Sequence, residues 1–128
     1  MILDTSYSTI KIKKLVEEKT GPPFGFLERI KMGGIGSKRV KVVAASEDCL
    51  NYLRLNHYEA NANFELRKNG AILHFRNRLQ EYSWLISYEG LKIKEGDVLH
   101  VSDGEKWMEL ERDPELDAFL TKLGKQLS

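Results

Sequence analysis

Residues 62–78, ANFELRKNGAILHFRNR, constrain the fold of this chain more than any other stretch. Two alternating runs flank Asn69-Gly70, a dipeptide suited to the two positive-φ positions of a type I′ hairpin turn. Glycine takes φ > 0 without steric cost, and asparagine does so more readily than most residues. A two-residue turn there sets Lys68 opposite Ala71, Arg67 opposite Ile72, Leu66 opposite Leu73, Glu65 opposite His74 and Phe64 opposite Phe75. One face then carries Phe64, Leu66, Leu73 and Phe75. The other carries Glu65, Arg67, Ile72, His74, Arg76 and Arg78. The apolar face must be covered, so the rest of the chain is read for its cover.

Further strands are expected on both sides of this hairpin. Lys38 to Ala45 is short and β-branched. Tyr82 to Tyr88 alternates, with Tyr82, Trp84, Ile86 and Tyr88 on one side and Ser83, Leu85 and Ser87 on the other. Leu91 to Lys94 alternates again, and mismatched sides predict a bulge or longer turn at Glu95-Gly96-Asp97. Val98 to Val101 and Lys106 to Leu110 flank Asp103-Gly104, a second hairpin signal that sets Leu99 opposite Met108 and His100 opposite Trp107. Residues 50–55 fit either a strand or one helical turn, and periodicity does not arbitrate over so short a run.

The clearest helix closes the chain. Asp113 suits an N-cap and Pro114 the first helical position. Leu116, Phe119, Leu120, Leu123 and Leu127 form one stripe, and Gly124 is expected to weaken or end the helix. In residues 9–19, Ile12, Leu15 and Val16 fit a helical face that Gly21 and Pro22-Pro23 terminate; Ile10 and Ile12 also fit a strand, and the helix is favoured. Phe24, Phe26, Leu27 and Ile30 make an apolar patch, and Gly33-Gly34-Ile35-Gly36 a loop. The expectation is a mainly β, α+β chain: about seven antiparallel strands in meander order, curling into a barrel that the C-terminal helix caps. Residues 1–37 form an N-terminal extension and residues 38–128 the barrel. The extension either packs on the barrel or mediates dimerisation; both stay open.

With 128 residues the chain suits one domain and needs no disulfide or metal to hold its core. Twenty basic and 19 acidic side chains leave a net charge of +1, which argues against bulk attraction to nucleic acid or an anionic membrane, though not against a local patch. The single cysteine, Cys49, permits no internal disulfide and suits a reducing compartment. No run reaches the ~20 apolar residues of a membrane span, so a cytoplasmic location is expected.

Meander strands followed by one closing helix, over about Lys38 to Leu127, resemble the pleckstrin-homology-like (PH-like) superfold. The run FELRKNGAILHFRNRLQEYSWLISYEGLKI is similar in pattern to small bacterial PH-like domains, in which a Gly-turned hairpin precedes an aromatic-rich strand. Phe119 stands where eukaryotic members usually carry the tryptophan of the closing helix. The resemblance implies a recognition scaffold and no catalytic motif.

Lys68, Arg76 and Arg78 loosely match the basic pattern with which phosphoinositide-binding PH domains hold a headgroup. The two arginines lie about 20 Å or more from the turn, too far to clamp one headgroup with Lys68. Glu65 paired across strands with His74 and Arg76 on a solvated face is the better reading. The Gly33–Lys38 segment lacks the Gly-Lys-Ser/Thr ending and following helix of a phosphate loop. His57, His74 and His100 show no metal-ligand spacing, and Cys49 reads as a buried thiol. Alternation places Trp84, Tyr82, Tyr88, Trp107 and Phe75 in a barrel interior rather than on a base-stacking platform. Two functions remain. The first is a non-catalytic binding module for a protein or peptide, with Arg67, His74, Arg76 and Arg78 as its surface set and no cofactor, metal or nucleic acid; anionic lipid is a weaker expectation. The second is a small-molecule or lipid carrier, or an enzyme, using a cavity lined by Trp84, Tyr88 and Trp107, with His100 as a polar group.

Overall fold

The computed structural model describes residues 1–6, 9–53, 60–77 and 80–127. Its elements are β1 (Ile2–Asp4), α1 (Ile10–Thr20), α2 (Phe26–Met32), β2 (Val40–Ala45), α3 (Glu47–Leu53), β3 (Asn61–Leu66), β4 (Gly70–Asn77), β5 (Gln80–Ser87), β6 (Lys92–Glu95), β7 (Val98–Ser102), β8 (Trp107–Glu111) and α4 (Leu116–Leu127). The strands form one antiparallel sheet in the order β1-β5-β4-β3-β2-β8-β7-β6. The α+β expectation holds, with two corrections. The described residues form eight strands, because residues 2–4 add one that has no periodicity to announce it. The sheet is open rather than a closed barrel: among the described residues, β1 takes the free side of β5 and β6 pairs with β7 alone.

The Asn-Gly hairpin forms, but its register differs by two residues from expectation: Phe64 lies opposite Leu73, Glu65 opposite Ile72 and Leu66 opposite Ala71. Arg67 N donates to Gly70 O at 2.8 Å, so Lys68-Asn69 is the turn. Gly70 instead serves a close approach, since a Cβ there would lie 2.4 Å from Ile86 O. A shift of two keeps every side chain on its face. Phe64, Leu66, Leu73 and Phe75 are accordingly buried in the main core. The second hairpin is displaced by two residues in the opposite sense, with Leu99 opposite Leu110 and His100 opposite Glu109. There the Asp103 carboxylate accepts from Glu105 N (2.9 Å) and Lys106 N (2.7 Å) and holds a four-residue loop, with Gly104 at φ 95°. The longer β6–β7 turn is present, with Glu95 opposite Leu99.

The C-terminal helix covers the inner face as expected. Leu116, Phe119 and Leu123 are buried, and Phe119 stacks on Phe64 with centroids 5.0 Å apart. Gly124 lies within α4 rather than ending it. The outer face of β4 and β5, expected to be solvated, is partly covered: Val16 of α1 joins Ile72 and Leu85 in a second apolar cluster, with Leu3 and Ile12 against it. The glycine-rich loop is tied to β3, with Leu66 N donating to Ile35 O and Ser37 N to Phe64 O.

Candidate functional site

Where α1 leaves the outer face uncovered, a cleft of about 390 Å³ opens, with α1 and Pro23 as walls and Arg67, His74 and Ser83 on its floor. Its volume lies within the usual range for ligand sites. Strand alternation supplies the floor. His74 of β4 is opposite Asn63 of β3 on one side and Ser83 of β5 on the other, and Ser83 is opposite Leu3 of β1. All four side chains therefore point the same way. Ile12, Lys13, Val16 and Glu17 line the α1 wall, and Thr5 closes the β1 side. A second, more polar cleft of about 310 Å³ shares His74 and Glu81 and continues past Arg39, Asn61, Asn63 and Arg76.

A chain of polar side chains crosses this floor. Arg67 Nε donates to Glu65 Oε2 at 2.6 Å. His74 Nε2 lies 3.0 Å from Glu65 Oε1, and His74 Nδ1 lies 2.9 Å from Ser83 Oγ. Ser83 Oγ is 2.8 Å from Thr5 Oγ1. A carboxylate only accepts, so His74 Nε2–H donates to Glu65, and in the neutral ring Nδ1 accepts from the Ser83 hydroxyl. The Thr5 hydroxyl then donates to Ser83. Every member has a partner, which fixes the rotamers of the floor before any ligand arrives.

Burial pushes the Glu65 carboxyl up, but the hydrogen bond from His74 and the Arg67 guanidinium outweigh it and hold the group below the ordinary glutamate range. A carboxyl lowered on folding stabilises the native state above its unfolded pKa, and that stability is lost as pH falls through the folded value. Glu65→Gln should therefore cost roughly 1–3 kcal/mol at neutral pH. It should also flatten the decline in melting temperature on acidification below the ordinary glutamate range, as read by thermal melts across pH. An unchanged acid decline would show that Glu65 does not carry it.

The anticipated site residues divide. Arg67 and His74 join the chain across the floor. Arg76 pairs with Glu81 at 3.9 Å in the adjoining cleft, and Lys68 with Glu28 at 3.5 Å, so these two cations serve different partners. Arg78 and His57 lie outside the described residues. The three aromatics of the interior-cavity reading do not converge. Trp84 is fully buried on the inner face with Nε1 donating to Asp103 Oδ2 at 3.0 Å. The Tyr88 hydroxyl donates to Arg67 O at 2.5 Å, and burial pushes its pKa up to about 12. Trp107 stands on the opposite face, between the buried Val101–Met108 pair and the loop, and stacks on His100 at 5.3 Å. Cys49 is buried, and burial raises its thiol pKa.

Ser83 and Thr5 were not among the expected site residues. The alternation of Tyr82–Tyr88 already set Ser83 on the outer side, but its neighbour across the strand and the Thr5 lid depend on β1. Comparison with protein-family models, curated proteins and solved structures finds no match. The chemistry is therefore read from geometry alone. Ser83, His74 and Glu65 have the connectivity of a hydrolase relay. Ser83, however, is 1% exposed and sits mid-strand between two paired neighbours, where the backbone N–H groups that could form an oxyanion hole belong to the ladder. Among the described residues, no three His, Cys, Asp or Glu side chains gather as metal ligands, and no helix is long and apolar enough to cross a membrane.

Proposed function

We propose that the protein is a non-catalytic recognition module on a PH-like scaffold, working in the cytoplasm, and that it binds a short peptide segment in the cleft beneath α1. The meander order of β2 to β5 and β6 to β8, closed by α4, supports the scaffold reading. The fully partnered Arg67–Glu65–His74–Ser83–Thr5 chain carries the binding reading. It makes a rigid polar floor beside the apolar Ile12, Val16 and Ile72, with Lys13 and Glu17 offering both signs of charge on the wall. Main-chain amides and mixed side chains match such a lining better than a purely apolar ligand does.

Selection from a random peptide library, followed by calorimetry on the enriched peptides, tests this reading. Lys13→Glu and Glu17→Lys alter exposed wall residues, and surface changes of this kind are expected to leave stability within about 0.5 kcal/mol. Each should weaken binding by about tenfold, equivalent to ~1.4 kcal/mol. Enrichment of no peptide, or affinities indifferent to both substitutions, would contradict the proposal. Covalent labelling of Ser83 by a fluorophosphonate, abolished in Ser83→Ala, would instead establish acyl-transfer chemistry on the same floor.

A further inference from the structure

We propose that α2 is an interfacial anchor that docks the protein on an anionic membrane surface, with Phe26, Leu27 and Ile30 entering the boundary between headgroups and acyl chains. The helix presents its oily side outward. Phe26 and Leu27 are each 72% exposed and Ile30 is 61% exposed, and none of its seven residues is buried. At 3.6 residues per turn these three side chains span about 100° of the helix circumference. Lys31 borders that arc on one side and Arg29 on the other, both exposed, while Glu28 and Met32 lie opposite. Glu28 is turned back to cap Gly25 N at 3.1 Å and to meet Lys68, and Met32 packs against the core.

The helix is held in this pose from both ends. Phe24 before it is buried, and Ile35 after it packs on the core. Lys122 Nζ donates to Gly33 O at 3.0 Å, bringing a further cation beside its C-terminus. An apolar arc bordered by long cationic side chains is the pattern of helices that lie in a bilayer interface, with the cations reaching the headgroups. The sequence agrees in charge: residues 1–41 carry nine basic against four acidic side chains, a balance of +5, and the remainder balances at −4. The near-neutral total thus conceals a basic segment that holds the exposed arc. A second copy of the chain is a poorer occupant. A two-fold contact would bring the patch onto itself and set Arg29 and Lys31 against their own copies.

Vesicle co-sedimentation tests the proposal, with phosphatidylcholine alone and with added phosphatidylserine. The protein should partition onto the phosphatidylserine vesicles, lose binding as ionic strength rises, and bind phosphatidylcholine far more weakly. The double substitution Phe26→Ser with Ile30→Ser should lower the partition coefficient about tenfold or more, with circular dichroism and melting unchanged because both side chains are exposed. Arg29→Glu with Lys31→Glu, which leaves the apolar arc intact, should lower it comparably on anionic vesicles only. Absence of binding to phosphatidylserine vesicles, or binding unaffected by both pairs, would overturn the assignment. So would a dimer in light scattering that the Phe26/Ile30 pair converts to monomer, since a second copy would then cover the patch.

Discussion

Gly70→Ala is expected to destabilise the protein by roughly 3 kcal/mol or more, at the upper end of what overpacking a tight site costs. The reason is contact rather than backbone conformation, because Gly70 is not among the positive-φ glycines. An added Cβ would meet Ile86 O at 2.4 Å and the Cα and Cβ of Thr20 at 3.1 Å. All three atoms are main chain or fixed to it, so relief requires moving β5 or the end of α1 away from the hairpin. That junction is closely bonded: Asn69 N donates to Thr20 O at 2.9 Å, and Tyr88 N donates to Asn69 O at 3.1 Å. Since α1 forms one wall of the cleft, the substitution should also weaken peptide binding beyond its effect on the folded fraction. Urea denaturation reads the first effect; a loss below about 1 kcal/mol would show that the approach of α1 to β4 is looser than described.

Phe119→Ala is expected to cost about 3–5 kcal/mol, the usual range for emptying a buried aromatic site. Phe119 is buried and stacks on Phe64, with an interplanar angle of 22°. Leu116 and Phe64 beside it are both fully buried, so little in the surroundings can collapse into the vacated volume. Leu127 belongs to the same stripe but is 45% exposed, and Leu127→Ala should change stability by about 0.5 kcal/mol or less. Equal effects from the two substitutions would mean that α4 does not rest on the sheet through its first two turns.

The hairpin, its two faces and the closing helix were legible in the sequence because each follows from local chemistry. Alternation put Phe64, Leu66, Leu73 and Phe75 together, and the Asp113-Pro114 start with its leucine stripe announced α4. The register was not legible. Asn69-Gly70 is read as the turn because both residues tolerate φ > 0, whereas Gly70 is required by the approach of Thr20 and Ile86, a tertiary fact. The polar floor was half visible. Glu65, His74 and Arg67 share a face by parity, but the same parity gives no sign that α1 shields it. Ser83 becomes a site residue only once β4 and β5 are paired, and Thr5 only once β1 joins β5, a contact between positions 78 apart in the chain. The closed barrel failed for the same reason: three residues of the N-terminal segment occupy the edge of β5.

The most direct test of the account is an amide chemical-shift map of the isotope-labelled protein titrated with a selected peptide. If the cleft beneath α1 is the binding site, the saturable shifts should cluster at residues 12–17 of α1, at Arg67, Ile72 and His74, and at residues 81–85 of β5. Saturable shifts confined to β6, β7 and α4, with α1 and the His74–Ser83 pair unmoved, would contradict it.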